Sequence, residues 1–337
     1  MTTRPSLRRL NTFGVQASAG LLLAIESEED VLSLPAFDPQ RDLIVGGGSN
    51  ILFVTDVPGT VLLNRIKGIG LTRQDEQFAW IDVGAGESWH KLVSWSVENQ
   101  LSGIENLALI PGNAGAAPIQ NIGAYGVELA SVLESVTAWD LQTCRWMVLN
   151  NAECEFSYRD SVFKSAQAGR HLITSITLRL NKHFSAQLDY AGLQEELSAC
   201  HGRTIEPADV YSAVIRLRQR KLPDPAVQGN AGSFFKNPKI GLDQLEAMRS
   251  RWPGLPSWII NSDCAKISAA WMIDQCRLKG LEHDGAAVSE RHALVLLNLA
   301  NATGKAIWEL ARRVQETVHD RFGILLEPEP LIYRRNG

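Results

Sequence analysis

The sequence lacks the features that mark membrane, secreted and nucleic-acid-binding proteins. No segment approaches the roughly 18 consecutive apolar residues of a membrane helix, and no apolar run follows the basic N-terminal stretch as it would in a secretory signal. The net charge is −4 over 337 residues, so there is no basic excess to bind nucleic acid. These absences predict a globular cytoplasmic protein of two or three domains, without membrane insertion or a nucleic-acid partner.

Cysteine and metal-binding motifs are also scarce. The cysteines are odd in number and never form C-x-x-C, which argues against a disulfide framework or a zinc knuckle and favours reduced, buried thiols. They are Cys144, Cys154, Cys200, Cys264 and Cys276. The histidines form no H-E-x-x-H, and the adjacent pair Cys200-His201 has poor geometry for a metal ion. We therefore predict no metal site.

The common nucleotide-binding and hydrolase motifs are missing as well. The run GGGSN at 46–50 follows the apolar stretch LIV, but Ile51 stands where G-x-G-x-x-G needs its third glycine, and no G-K-[ST] follows. Neither Ser49 nor Ser233 lies in G-x-S-x-G. A dinucleotide would therefore have to be held by something other than a Rossmann turn or a Walker loop.

What the sequence does have is two glycine-rich segments in its N-terminal half. Three successive glycines at 46–48 can turn their backbone N–H groups toward an anion such as a diphosphate, or can form a plain flexible turn. In the second segment, 101–130, Gln120 and Asn121 suit the edge of a heterocycle and Tyr125 adds a ring and a hydroxyl. The alternative is a structural loop whose polar groups bond its own backbone. Together the two segments favour one large phosphate-bearing ligand.

Three further stretches contain side chains that could bind a ligand or react, and a purely structural role stays open for them. Arg159, between aromatics in FSYRDSVFK, could clamp a carboxylate or could pair with the neighbouring Asp160. The basic run RLRQRKLP at 216–223 ends a predicted helix over 207–221, and could be a solvated face or a polyanion site. In GNAGSFFKNP, at 229–238, a glycine bend leads Ser233 into two apolar rings, with Lys236 and Asn237 beyond.

Taken together, these stretches resemble the UDP-N-acetylenolpyruvoylglucosamine reductases, also called UDP-N-acetylmuramate dehydrogenases. The resemblance runs from about residue 11 to residue 333, and LDYAGL at 188–193 is similar to the tyrosine-bearing segment of the type I members. The motifs in chain order are NTFG (11–14), VGGGSN (45–50), VGAGESWHKLV (83–93), IPGNAGAAPIQNIGAYGVEL (110–129), SYRDSVFK (157–164), RQRKLPDP (218–225), GNAGSFFKNP (229–238) and LEPEP (326–330).

The resemblance implies an α+β fold of three domains. Residues 1–70, to which 324–337 would return, and residues 71–224 would form an FAD-binding unit of the vanillyl-alcohol oxidase/PCMH type. Residues 225–323 would form a substrate-binding α+β domain. The implied reaction is the NADPH-dependent, FAD-mediated reduction of UDP-N-acetylglucosamine enolpyruvate to UDP-N-acetylmuramate, a step toward peptidoglycan. The implied cofactors are FAD and NADPH, the partner is a UDP-sugar substrate, and the family suggests a monomer.

The resemblance also implies roles for individual residues. Ser233 would donate a proton, with Arg159 and Glu329 beside the substrate carboxylate. The residues that would bind FAD are Gly46, Gly47, Gly48, Ser49, Asn50, Pro111, Gly112, Ala114, Gly115, Gln120, Asn121, Gly123 and Arg218. The residues that would bind the UDP-sugar are Tyr125, Tyr190, Lys221 and Asn237. Ala116 and Ala117 depart from relatives that carry a hydroxyl there, so only backbone donors are expected at those positions.

Two other functions remain open from the residues alone. A flavin-dependent oxidase of the same broad fold, acting on an alcohol or a sugar, would use the glycine loops but would not need Ser233 as an acid. A sugar-nucleotide sensor would bind the substrate without bound flavin or chemistry.

Overall fold

The computed structural model describes residues 4–198 and 203–334, which divide into two compact units. Within the described residues, unit 1 contains 4–5, 19–48, 57–198 and 203–220, and unit 2 contains 6–18, 49–56 and 221–334. Cys200, His201 and the end of the predicted 324–337 segment lie outside the described residues. The division into three domains at 70, 224 and 323 stays a prediction.

Seven α-helices lie within the described residues. They are α1 Glu28–Leu32, α2 Trp89–Glu98, α3 Ala191–Leu197, α4 Pro207–Lys221, α5 Leu242–Arg251, α6 Ala269–Gln275 and α7 Gly304–Phe322. Short 3-10 turns occur as well, among them Glu105–Leu107 and Ala114–Ala116 in the second glycine-rich segment. No helix of the described chain is long and apolar enough to cross a membrane.

The strands are mostly short. They are β1 Ala19–Ile25, β2 Leu43–Val45, β3 Ile51–Phe53, β4 Val57–Asn64, β5 Ile69–Gln74, β6 Phe78–Gly84, β7 Gly123–Ala124, β8 Val127–Glu128, β9 Leu133–Asp140, β10 Arg145–Asn150, β11 His171–Asn181, β12 Lys239–Gly241, β13 Ser257–Ile259, β14 Cys264–Ile267, β15 Glu282–His283, β16 Ala286–Val288, β17 Leu296–Asn298 and β18 Leu331–Tyr333.

Unit 1 is built on two sheets and a small hairpin. Its parallel sheet has the order β1-β4-β2, and its antiparallel sheet has the order β10-β9-β11-β6-β5. The hairpin β7-β8 lies in the second glycine-rich segment. The main apolar core is formed by the antiparallel sheet, α2, α4 and that segment, which fixes the loop against regular structure.

Helices α2 and α4 hold the functional segments of unit 1. Ser88 caps α2 by accepting the N–H of Lys91, and the helix buries Leu92 and Val93. Helix α4 begins at Pro207 and ends at Lys221, as predicted. It buries Val210, Ala213, Val214 and Leu217, whose spacing of three and four residues places them on one face.

Unit 2 contains two antiparallel sheets, β12-β14-β13 and β15-β16-β17, and the parallel pair β18-β3. Helix α7 covers β15–β17 and β3 with a buried stripe that includes Ile307, Leu310 and Val314. Thr303 caps this helix by accepting the N–H of Ala306. The sheets, α7 and the serine bend at 229–236 therefore belong to the same unit.

Two sequence-based expectations need correction. The apolar run HALVLLN at 292–298 predicts a strand over its whole length. The strand is limited to β17, because the N–H of Val295 bonds the carbonyl of His292 (2.9 Å) and forms a turn before it. The cysteines at 144, 154, 264 and 276 are free, but Cys144 is exposed and Cys154 alone of these is fully buried. The expectation of uniformly buried thiols is therefore wrong.

Candidate active site

The two glycine-rich segments of unit 1 touch each other. Gly47 follows strand β2 and lies so close to the second segment that a Cβ atom on it would stand 2.9 Å from Gly112 Cα and 3.0 Å from Asn113 Oδ1. At Gly46 the nearest such contact is 3.6 Å, which is ordinary packing. The missing side chain at Gly47 therefore lets the two loops meet, as a shared ligand site requires.

The second segment is pinned by backbone bonds to the turn before α2. The N–H of Ala114 bonds Glu87 O (2.8 Å), and the N–H of Gly115 bonds Ala85 O (2.9 Å). The N–H donors of Ala114 and Gly115 are thus used by the turn before α2. Their contribution to a ligand would be the shape of the loop. The backbone donors expected at Ala116 and Ala117 are used within the segment as well, by Asn113 O (3.0 Å) and Ala114 O (3.1 Å).

Asn121 also serves the loop. Its side-chain amide donates to Glu128 Oε2 (2.8 Å) and to Ser157 O (3.1 Å), while its oxygen accepts the N–H of Ala130 (3.0 Å). Its side chain is buried, so Asn121 follows the alternative of a structural loop, in which the polar groups bond the chain itself. Pro111 is exposed and Gln120 half-buried in the same segment; their role toward FAD stays a prediction.

Arg159 is held at the β7-β8 hairpin. Its Nη2 donates to Gly123 O at 2.6 Å, and its own backbone is left-handed, with φ of +57°. The neighbouring Asp160 instead accepts the N–H of Ser161 (2.9 Å). A guanidinium presents its donors in a planar fork, a geometry that suits a carboxylate.

Two tyrosines and a buried arginine lie together near that hairpin. The rings of Tyr125 and Tyr190 meet edge to face, with centroids 4.9 Å apart. Burial raises the pKa of Tyr125, and the nearby Arg218 charge opposes this effect. Burial lowers the pKa of Arg218; Tyr125 opposes this and the charge of Arg159 reinforces it. The Nε of Arg218 is buried and has no hydrogen-bond partner among the described residues.

The basic run of α4 divides between two faces of the helix. Arg216 Nε lies 3.0 Å from Glu196 Oε2, and Arg220 pairs with the other oxygen of the same carboxylate. Residues 216 and 220 are one helical turn apart, whereas Arg218 lies on a different face. Arg216 and Arg220 thus share one carboxylate of the chain on an exposed face, which favours the alternative of a solvated face for these two residues.

In unit 2, the predicted catalytic serine lies in a stretch fixed on both sides. The N–H of Phe234 bonds Leu294 O at 2.7 Å, and Phe234 O accepts the N–H of Glu329 at 2.8 Å. Ser233 itself bridges to Val295. The chain around Ser233 is thus held between the segment before β17 and the segment before β18, and the latter carries Glu329.

The run NTFG at 11–14 supports this bend from within unit 2. The N–H of Asn230 bonds Thr12 O (3.1 Å), and the ring of Phe13 packs edge-on against Phe234, with centroids 6.2 Å apart. A Cβ at Gly229 would stand 2.3 Å from Phe13 O, so only glycine fits there. Both predictions, a glycine bend and buried phenylalanines, agree with this geometry.

Asn50 has a role that the sequence did not suggest. Its side-chain amide donates to Glu329 O (3.3 Å), and its carbonyl accepts the N–H of Leu331 (2.9 Å). Asn50 therefore positions the backbone of Glu329. Ser49 precedes it in the same turn, and its role toward FAD stays a prediction.

The two residues after the phenylalanines point to different partners. Lys236 Nζ lies 3.5 Å from Glu327 Oε2, an ion pair beside a backbone bond between the same two residues. The side-chain oxygen of Asn237 accepts the N–H of Ala269 (3.0 Å) at the start of α6. A ligand at Asn237 would therefore meet its NH₂ donors, which suits an anion.

Lys221 lies near a second lysine and a histidine of unit 2. Burial lowers the pKa of His292, and the charges of Lys221 and Lys279 lower it further, so the three groups are close enough to interact. Of these three residues the motifs predict Lys221 alone, since a histidine inside an apolar alternating run gives no signal of ligand binding. The two lysines and His292 together offer positive charge and a hydrogen-bond donor to a polyanionic ligand.

Comparison with known proteins gives the family. Residues 21–145 match a model described as an FAD binding domain, and residues 224–333 match the UDP-N-acetylenolpyruvoylglucosamine reductase C-terminal domain. The UDP-N-acetylenolpyruvoylglucosamine reductases of Amoebophilus asiaticus and Photorhabdus laumondii are each 45% identical over 96% of this chain, and the matches cover 96% and 94% of those proteins. The chain belongs to the UDP-N-acetylenolpyruvoylglucosamine reductase family.

A solved structure supports the same fold. The family's enzyme from Thermus caldophilus has a TM-score of 0.68 with 27% identity, and the match covers 98% of both chains. The predicted α+β fold with an FAD-binding unit is confirmed. The residues of unit 1 also fit such a group, because the loops meet at a bare glycine and Arg218 has a buried nitrogen without a partner.

Proposed function

We propose that the protein is an FAD-dependent reductase that uses NADPH to convert UDP-N-acetylglucosamine enolpyruvate into UDP-N-acetylmuramate for peptidoglycan precursor synthesis. Relatives of that name match along 96% of the chain, which supports the reaction. The geometric observation that carries it is the serine bend, where Ser233 is fixed in a stretch bonded to the backbone of Glu329. Ser233 as the acid and Glu329 as a carboxyl group lie in adjacent segments. This arrangement suits protonation of the substrate carbon that carries the substrate's own carboxylate.

The glycine segments at 46–48 and 111–123 and the guanidinium of Arg218 would hold FAD. When bound, FAD supplies hydride transfer from NADPH to the β-carbon of the enolpyruvyl group. The loops contribute shape, because Gly47 allows close approach and the backbone bonds to residues 85 and 87 keep the second segment fixed. Arg218 contributes a positive charge, and its buried Nε has no hydrogen-bond acceptor among the described residues.

Ser233 is assigned the proton transfer. Addition of hydride to the β-carbon leaves negative charge at the α-carbon, which spreads into the attached carboxylate. The Oγ–H of Ser233 then gives its proton to the α-carbon, and solvent returns one to Oγ. With its backbone fixed by Val295 and Phe234, the hydroxyl is placed by a single side-chain rotation.

The substrate carboxylate is assigned to Arg159 and Glu329. The guanidinium of Arg159 is oriented by Gly123, and its planar fork matches the shape of a carboxylate that gains charge during the reaction. Glu329 is positioned by Asn50 and by the carbonyl of Phe234. Its carboxyl group would act at the reacting end of the substrate.

The UDP portion is assigned to Tyr125, Tyr190, Lys221 and Asn237. Lys221 supplies a compact positive charge for the diphosphate, in a group that includes His292. Asn237 turns its NH₂ donors to the ligand because its oxygen caps α6. The paired rings of Tyr125 and Tyr190 offer an aromatic edge and hydroxyls.

The first test is a visible spectrum of the purified protein followed by a turnover assay. We expect flavin absorption bands, and NADPH oxidation that depends on the enolpyruvyl sugar nucleotide. Oxygen consumption with a simple alcohol, without NADPH oxidation, would instead establish the oxidase. A colourless protein that binds the UDP-sugar and gains no activity when FAD is added would establish the sensor and contradict the proposal.

The setting of the reaction belongs to the same proposal. NADPH and UDP-activated sugars are substrates of the cytoplasm, so we assign the reaction to that compartment. We assign the active species as a monomer, which light scattering coupled to size-exclusion chromatography checks; a dimer at assay concentrations would contradict it.

A further inference from the structure

The start of α2 holds the second glycine-rich segment at three positions between residues 107 and 112. Trp89 Nε1 donates to Leu107 O (3.1 Å), and the N–H of Trp89 donates to Gly112 O (3.0 Å). Between these two bonds, the N–H of Leu109 donates to the Nδ1 of His90 (3.1 Å). Residues 107, 109 and 112 are thus fixed in turn by two neighbouring residues of one helix, and the middle bond uses a titratable ring.

The bond to Leu109 determines the state of the imidazole. A backbone N–H can only donate, so Nδ1 must be the unprotonated nitrogen of a neutral ring whose proton is on Nε2. Burial, and then the Arg218 charge, lower the pKa of His90, which favours this neutral form. Because Leu109 has a left-handed backbone with φ of +58°, its conformation must be held by its surroundings.

The ring of His90 is itself held in place. It stacks on Tyr211 of α4, with centroids 5.8 Å apart and ring planes 13° apart. The hydroxyl of Tyr211 lies 2.7 Å from Ser94 Oγ, and Ser94 Oγ donates to His90 O (3.0 Å). The ring therefore presents its acceptor nitrogen to the loop in one orientation.

The bond lies at the entrance to the part of the loop that meets the first glycine segment. Three residues after Leu109, Gly112 approaches Gly47 so closely that a Cβ at Gly47 would clash. A shift at Leu109 would move this contact, and with it the surface that we assign to FAD. His90 itself touches the loop, so its effect on the cofactor would pass through the loop.

We infer that His90 is a positioning residue for the cofactor, whose Nδ1 fixes Leu109 and so sets the second glycine segment against the first in the shape that binds FAD. The inference rests on the proposed FAD-dependent function. FAD affinity then depends on the position of the acceptor atom at residue 90, and not merely on the size of its side chain.

The test is FAD affinity, measured by fluorescence quenching as FAD is titrated into flavin-free protein. Asparagine can place its oxygen where Nδ1 lies, whereas glutamine places it one bond farther out. We expect His90→Asn to stay within about twofold of the unchanged protein, and His90→Gln and His90→Leu to bind about five- to tenfold more weakly, the size of one lost hydrogen bond. The exposed His183, changed to leucine, is the matched control and should bind as the unchanged protein does.

Equal affinities for the asparagine and glutamine variants would overturn the inference, whether both are tight or both are weak. Should the leucine variant fail to fold, the comparison of asparagine with glutamine still decides. Failure of the unchanged protein to bind FAD would contradict the proposed function itself, which separates that failure from failure of the His90 inference.

Discussion

At the scale of single residues, His171 couples stability to pH. Its side chain is buried, neither ring nitrogen has a hydrogen-bond partner among the described residues, and its ring meets Phe163 edge-on at 5.7 Å. Burial lowers its pKa; Asp140 opposes this and Arg170 reinforces it. The folded protein therefore binds the proton less readily than the unfolded chain, whose histidine pKa is about 6.5. Stability is present above that pH and is lost as the pH falls through it.

We expect His171→Leu to remove part of this dependence. Between pH 7.5 and pH 5, the free energy of unfolding in urea should fall less in the variant than in the unchanged protein, by about 1 kcal/mol. His183→Leu, at an exposed position, should keep the original pH dependence. Identical slopes for the unchanged protein and His171→Leu would contradict the account.

The cysteines give a second test at the same scale. Cys144 is exposed, whereas burial, and then the Glu153 charge, raise the pKa of Cys154 to about 12. Because the thiolate is the reactive form, iodoacetamide at pH 8 should alkylate Cys144 in the folded protein and Cys154 only after unfolding. Mass spectrometry of the two peptides measures this, and equal rates in the folded protein would contradict the burial of Cys154.

At the scale of elements, the contact between the two glycine segments is the most sensitive packing in unit 1. Gly47→Ala would place its Cβ 2.9 Å from Gly112 Cα, so the loops must move apart at a cost of about 1–3 kcal/mol. We expect FAD affinity to fall by roughly five- to a hundredfold. Gly70→Ala, in β5 of the same unit and outside the glycine segments, is the matched control, since a Cβ there would have no atom within 4 Å. Equal affinity in the two variants would show that the loop contact does not shape the site.

Regular elements were predictable where a single periodic pattern decides them. Helix α4 follows its apolar spacing and its N-terminal proline from Pro207 to Lys221. The strand predicted from 292 was too long because its first half is turned by bonds to the backbone and ring of His292. Apolar alternation indicates which side chains are buried, but it does not indicate that a backbone N–H bonds a nearby side chain.

The residues of the candidate site are predicted from residue types and motifs, which do not give the hydrogen-bond partner of each group. The glycines, Ser233 and Arg159 were chosen from motifs, but an amide such as Asn121 or Asn50 has both donors and acceptors, so its type does not say whether it meets a ligand or the chain. The structure gives both of them bonds within the chain. The separation of Arg218 from Arg216 and Arg220 follows from helical geometry together with the position of Glu196, a residue of another helix.

At the scale of the whole molecule, the two units have different proposed roles. Unit 1 carries the glycine triplet, Arg159 and Arg218, and unit 2 carries Ser233 and Glu329. Loss of flavin binding should therefore follow changes in unit 1 loops, whereas loss of proton donation should follow a change at Ser233. The two half-reactions of the full chain can be measured separately.

The most direct measurement is stopped-flow absorbance of the Ser233→Ala protein, with each half-reaction followed in turn. Bleaching of the bound flavin by NADPH should proceed as in the unchanged protein, because Ser233 takes no part in it. The return of flavin absorbance when the enolpyruvyl sugar nucleotide is added should slow by about 10²–10⁴, the usual contribution of a general acid. Equal slowing of both half-reactions, or an unchanged second one, would contradict Ser233 as the proton donor.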